Sequence, residues 1–128
     1  MPATSPDPAA LDAPATPQEP ADGPAFRGRF LVLYGTPTDR DAFEEHYLSV
    51  HVPLAKRLPG LRRYAISRDV TTIRGDTAYL VAQLDWDSTE ALRAAFASPE
   101  GRATAEDMAH LAALSTVRSV VLGECEVL

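Results

Sequence analysis

One antiparallel sheet with helices laid across one of its faces, an α+β fold, is what this 128-residue sequence predicts. Three observations carry that prediction. Four short apolar runs, at residues 29–35, 61–72, 77–86 and 116–124, are bounded by glycine, proline and small polar residues, as strands are. Two stretches with helical periodicity separate the first run from the second and the third from the fourth. Their order is therefore βαββαβ, the ferredoxin-like arrangement, with a four-stranded antiparallel sheet.

Residues 1–26 stand apart from this pattern. They hold seven of the eleven prolines and seven alanines, with Asp7, Asp12, Glu19 and Asp22 but no basic residue. Such a segment buries too little apolar surface to offset its ordering entropy, so a disordered tail is expected there. It lacks the basic start and apolar run of a secretory leader. One domain is expected over residues 27–128. Of the net charge of −6, the tail supplies −4, which leaves the domain nearly neutral. No basic stripe suits nucleic acid, and no apolar run of about 18 residues suits a membrane span. A lone cysteine, Cys125, excludes an internal disulfide and suits a reducing cytoplasm.

The elements follow in order. RFLVLYG, closed by Gly35 and Pro37, is a continuous apolar run and reads as a buried first strand. Thr38 is placed to cap the first helix, with Asp39 and Asp41 against the positive end of its dipole. Phe43, Tyr47, Val50 and Leu54 then recur at spacings of 4, 3 and 4, drawing one apolar stripe toward the core. At about 100° per residue, His46 and His51 flank that stripe and stand about 140° apart, so an unbroken α-helix cannot bring both to one ligand atom. Pro53 opposes the carbonyl of Ser49 and pushes Val52 out of the α region. A kink or break near His51 is expected, one that could turn both rings toward the same cavity. Leu58-Pro59-Gly60 ends the segment in a turn.

The second strand is expected over 61–72, and Arg74-Gly75-Asp76 as the tight turn leading to the third, 77–86. Ser88 caps a second helix that buries Ala91, Leu92, Ala95 and Phe96; Pro99 and Gly101 interrupt it, and a further helical piece covers 103–113. The strand 116–124 closes the sheet. Alternation places apolar residues on both faces: Phe30, Val32 and Tyr34 against Leu31 and Leu33, and Leu80, Leu84 and Trp86 against Tyr79 and Val81. A sheet with helices on one side and apolar residues on the other needs a second cover, which a two-fold copy supplies. A homodimer is expected.

Two blocks carry a family resemblance. AFEEHYLSVHVPLAKRLPGLRRY, residues 42–64, resembles the signature of the EthD family, named for ethyl tert-butyl ether degradation, in the dimeric α/β-barrel superfamily. DSTEALRAAFASPEGRATAEDMAHLA, residues 87–112, resembles the same family's second helix, with its SPEG turn and the acid Asp107. The resemblance implies an eight-stranded barrel shared by two subunits, histidines at both His46 and His51, and an acidic role for Asp107. His110 and Leu111 depart from it, since asparagine and an aromatic residue are commoner there.

Chemistry is expected in the gap between the sheet and its helices. His51 and His46 are the candidate catalytic pair, because imidazole titrates near neutrality and can take and return a proton. Tyr34, Tyr47, Tyr64, Trp86 and Asp107 are candidate substrate contacts, aromatic walls with few polar groups suiting a hydrophobic, oxygenated small molecule. No metal site is expected, since the histidines are five residues apart and no second cluster of ligands stands near in sequence. Glu44 and Glu45 read as solvated surface. Members of the family often bear a reductase label, yet the chain holds no dinucleotide fingerprint, so an organic cofactor is not expected. The leading reading is cofactor-independent proton transfer, of isomerase, dehydratase, cyclase or decarboxylase type. A non-catalytic binding or accessory protein and a structural dimer are the alternatives.

Overall fold

Alternation along the strands decides which side chains meet the helices. The computed structural model describes residues 26–128, so the tail expected over 1–26 lies, but for its last residue, outside the described residues. β1 (Gly28–Tyr34) pairs antiparallel with both β3 (Leu80–Trp86) and β4 (Val117–Leu122), and β2 (Arg63–Ser67) flanks β3, giving the order β2-β3-β1-β4. Val32 and Tyr34 of β1 sit opposite Ala82 and Leu80 of β3, and all four are buried beneath the helices. This is the ferredoxin-like α+β fold that the order of elements predicted.

The other face is less uniformly apolar than expected. Leu31 and Leu33 are half-buried there, but their cross-strand partners include Gln83 and Arg118 as well as Val81 and Val120. The Arg29 guanidinium meets the Asp85 carboxylate on the same face, at 2.7 and 3.1 Å. Tyr79 is not on it. β3 begins only at Leu80, and Tyr79 turns to the first helix, its ring edge-on to Phe43 and its hydroxyl donating to Glu44. Arg68 donates to the same carboxylate. Glu44 therefore ties the first helix to the β2–β3 connection and is not simply solvated. β2 ends at Ser67, short of the 61–72 expected, Arg68 turning to Glu44, and residues 68–79 form a loop in which Gly75 takes φ +94°.

The helical layer begins with α1 (Arg40–His46), capped by Asp39 rather than Thr38. Asp39 is extended and its carboxylate accepts from the Ala42 amide at 3.0 Å, whereas the Thr38 amide and hydroxyl both point to the Leu114 carbonyl. A single π turn, Tyr47–His51, follows, and α2 (Val52–Ala55) continues from it. Ser88 caps α3 (Thr89–Ala97) as predicted. Pro99 starts a helix instead of interrupting one. Ser98 accepts from the Gly101 amide and donates to the Ala95 carbonyl, closing α3 and opening α4 (Pro99–Ala112), where proline fits the first helical position. A Cβ on Gly101 would lie 2.3 Å from the Ala95 carbonyl oxygen, so only glycine lets the two helices turn this closely. Tyr34, Phe43, Tyr47, Leu80, Leu92 and Leu111 are the largest fully buried side chains, joining both helical segments to the sheet. No helix among the described residues is long and apolar enough to cross a membrane.

Candidate active site

The π turn is the local event that builds the site. Pro53 offers no amide, and its ring would crowd the Ser49 carbonyl in a regular α-helix. The chain answers by widening, not by breaking: Val52, expected outside the α region, stays in it at φ −59° and ψ −47°, and its amide reaches back five residues to the Tyr47 carbonyl. A repeat of more than four residues per turn brings positions five apart onto nearly the same face. The buried stripe accordingly runs through Phe43, Tyr47, His51 and Ala55, while Val50, expected on it, is 40% exposed. His46 and His51, which a regular helix would hold apart, now face one carboxylate.

That carboxylate is Asp107 of α4. His46 Nε2 lies 2.8 and 3.0 Å from its two oxygens, and His51 Nδ1 lies 2.9 Å from Oδ2. Asp107 is buried and not a surface acid. Burial pushes its pKa up, but the bonds from His51 and His46 outweigh that and hold it below the usual carboxylate value, so it is ionised at neutral pH. His51 is displaced the other way from a typical salt-bridged histidine. Burial lowers its pKa, the Asp107 bond opposes this only in part, and the neighbouring His46 adds to the lowering. Neutral His51 therefore donates Nδ1–H to Asp107 and carries its lone pair on Nε2.

His51 also borders a cavity of about 220 Å³ between the sheet and the helices. Phe30, Val32, Ala82 and Leu84 of the sheet form one wall, Ala55 and Leu58 another, and Phe96, Thr104, Ala105 and Met108 a third. The gap between sheet and helices is thus open. Tyr34 and Tyr64 line it; Tyr47, Trp86, His46 and Asp107 do not. Tyr47 lies behind, its ring stacked on His51 and its hydroxyl 2.8 Å from that of Tyr64. Trp86 is a core residue, donating Nε1–H to the Pro59 carbonyl at 2.9 Å. Among the described residues the Tyr34 hydroxyl meets only the Met108 sulfur, at 3.6 Å, a weak acceptor that leaves it available to a stronger one. Burial raises the pKa of Tyr34, and also that of Tyr64 against the bond from Tyr47, so both remain protonated donors.

Sequence reasoning marked Asp107 as an acid of the site but did not foresee that its one carboxylate joins both histidines. His110, exposed on α4, brings Nδ1 to 3.5 Å from Asp107 Oδ1 and stacks its ring on His46. The five-residue spacing of His46 and His51 followed by Pro53 was the available signal, since residues five apart share a face only across a π turn.

Comparison with known proteins agrees with this fold. The EthD domain matches residues 35–115. An uncharacterised 11.0 kDa protein from the thcB-thcC intergenic region of Rhodococcus erythropolis is 41% identical over 85 residues, 66% of this chain and 82% of that protein. A crystallised EthD family protein from Bacillus halodurans is 33% identical, with a TM-score of 0.64 over 74% of this chain and 97% of that one. SnoaB from Streptomyces nogalater, a cofactor-independent oxygenase, shares the fold at 23% identity and a TM-score of 0.57, covering 81% of this chain and 98% of its own.

Proposed function

The chain belongs to the EthD family, and from that premise we propose that it is a cofactor-independent enzyme performing proton transfer on a hydrophobic, oxygenated small molecule. One observation carries the reading: His51 is fixed by a buried carboxylate through Nδ1 while its ring borders an apolar cavity. Nε2 takes a proton from a phenol, or from carbon next to a carbonyl. The electron pair left behind moves onto the substrate oxygen, where the Tyr64 or Tyr34 hydroxyl donates to it. Asp107 offsets the charge of the imidazolium, and returning the proton to a different atom completes an isomerisation. His46 does not reach the cavity and acts as a positioning residue, holding Asp107 from the other side.

The apolar walls favour a second reading, a protein that binds such a molecule without turning it over. The two part on one experiment. A bicyclic aromatic ketone, 2-tetralone, is incubated with the protein in deuterium oxide and deuterium uptake beside the carbonyl is followed by NMR. Enzyme-dependent exchange that disappears in His51→Ala supports catalysis; tight binding with no exchange above the solvent rate leaves the binding protein.

Leu31, Leu33, Val81 and Val120 leave an apolar band on the open sheet face. We infer that a second copy covers it, closing an eight-stranded barrel, and that the protein works in the cytoplasm. A Leu33→Asp variant should sediment as a monomer, and a wild-type chain that itself sediments as a monomer would remove this part of the reading.

A further inference from the structure

We propose that His46, Asp107 and His110 form a binding site for a zinc-class divalent cation, on the side of Asp107 away from the cavity. Their ligand atoms, one from each residue, all lie within 4.8 Å of one another. The last turn of α1 supplies His46, and successive turns of α4 supply Asp107 and His110, so two elements converge on one point.

Zinc bonds of about 2.1 Å in tetrahedral geometry set ligand atoms about 3.4 Å apart. Asp107 Oδ1 and His110 Nδ1, at 3.5 Å, already stand at that spacing. His46 Nε2 and Oδ1, at 2.8 Å, are closer because a proton now lies between them, and a cation replacing that proton opens the pair by about half an ångström. The imidazole rings stack at 4.9 Å and 22°, so one must turn to aim its lone pair. His110 is the one that can, being 68% exposed.

The donor set specifies the class of ion. Two imidazoles and one carboxylate suit zinc and its neighbours, whereas calcium and magnesium take oxygen donors. His51 holds Oδ2 of the same carboxylate, which fixes the orientation of Oδ1 as outer hydrogen bonds do in metal sites. Three protein ligands leave a fourth position on the exposed side for water. Binding requires no turnover at His51, so this inference and the catalytic reading stand or fall separately.

The test is titration of the full-length protein with zinc chloride by calorimetry, and with cobalt(II) by visible absorption. One ion per chain is expected. Loss of a direct ligand in His110→Ala should weaken binding by more than the roughly tenfold that outer-shell changes cost metal sites, with no change in metal-free folding. Cys125→Ser should bind as the wild type does. NMR should move the His46 and His110 ring signals on zinc addition. The proposal is overturned by the absence of saturable binding, by an affinity that His110→Ala leaves unchanged, or by binding lost in Cys125→Ser.

Discussion

The two helical segments of this protein are built on opposite plans. The first, residues 40–55, changes pitch midway, exposes Leu48 and Val50, and buries a histidine. The second, residues 89–112, is two regular helices joined at one serine, with ordinary caps and an ordinary apolar face. The irregular segment supplies His46 and His51, and the regular one supplies the carboxylate that these two share. The difference teaches how a small fold orients a buried histidine: the irregular element sets its direction, and the regular element provides a fixed anchor.

The comparison can be broken most severely at the proposed base. His51→Ala should lower deuterium exchange on 2-tetralone by about 10²–10⁴-fold, the usual contribution of a positioned base. His46→Ala, which leaves the cavity wall intact, should lower it less. Equal losses in the two variants would assign them a joint catalytic role in place of the division drawn here.

Removing the anchor tests the regular segment. Asp107→Ala deletes hydrogen bonds to an ionised group from two histidines and strands a buried donor, which should cost about 2–4 kcal/mol of stability in urea denaturation. The same variant should raise the pKa-lowering influence of burial on His51 to its full extent, because its main opposing partner is gone. Unchanged stability would mean that the carboxylate is solvated and does not organise the site.

A milder change alters the joint within the regular segment. Gly101→Ala sets a methyl group against the Ala95 carbonyl and the Phe96 backbone and should cost about 1–3 kcal/mol, as overpacking does. Because Gly101 also borders the cavity, weaker ligand binding should accompany the loss. A neutral result in thermal unfolding would show that α3 and α4 separate freely.

Acidity probes the link between the segments with the smallest effect. His51 and Asp107 both bind protons less readily folded than unfolded. The unfolded chain therefore takes up more protons, and stability rises with pH wherever either group titrates. The His51 contribution is complete above the ordinary histidine value of 6.5 and is lost as pH falls from there through its lower folded value. That of Asp107 persists until pH drops below 3.8. Urea midpoints measured from pH 8 downward should stay level and then decline from about pH 6.5; stability that instead increases on mild acidification would reverse the assignment of His51.

Much of the fold was legible because it rests on local patterns. The continuous apolar run RFLVLYG and the bounded run that includes LVAQLDW marked the two central strands, and Ser88 ahead of an amphipathic run marked a helix start. Misreadings fell where a side chain had two possible partners. Thr38 was as good a cap as Asp39 until Leu114 drew it away. Tyr79 belonged to a strand by pattern and to Glu44 by contact. Pro99 read as an interruption although Ser98 directly before it is a local cap signal, with proline at home in the first helical position.

The site divides along the same line. Sequence by itself determined which residues could carry chemistry: two histidines on the first helix, tyrosines on the strands, one acid on the second helix, and a proline that forbids a regular helix at His51. Tertiary structure decided how they combine. The i+5 turn was chosen over a break because packing of Tyr47, His51 and Ala55 against the sheet and α4 rewards a continuous helix that no local rule requires. Only the docking of α4, some sixty residues away in sequence, could make one carboxylate the partner of both rings. Sequence periodicity describes one element at a time, and this site exists only between two.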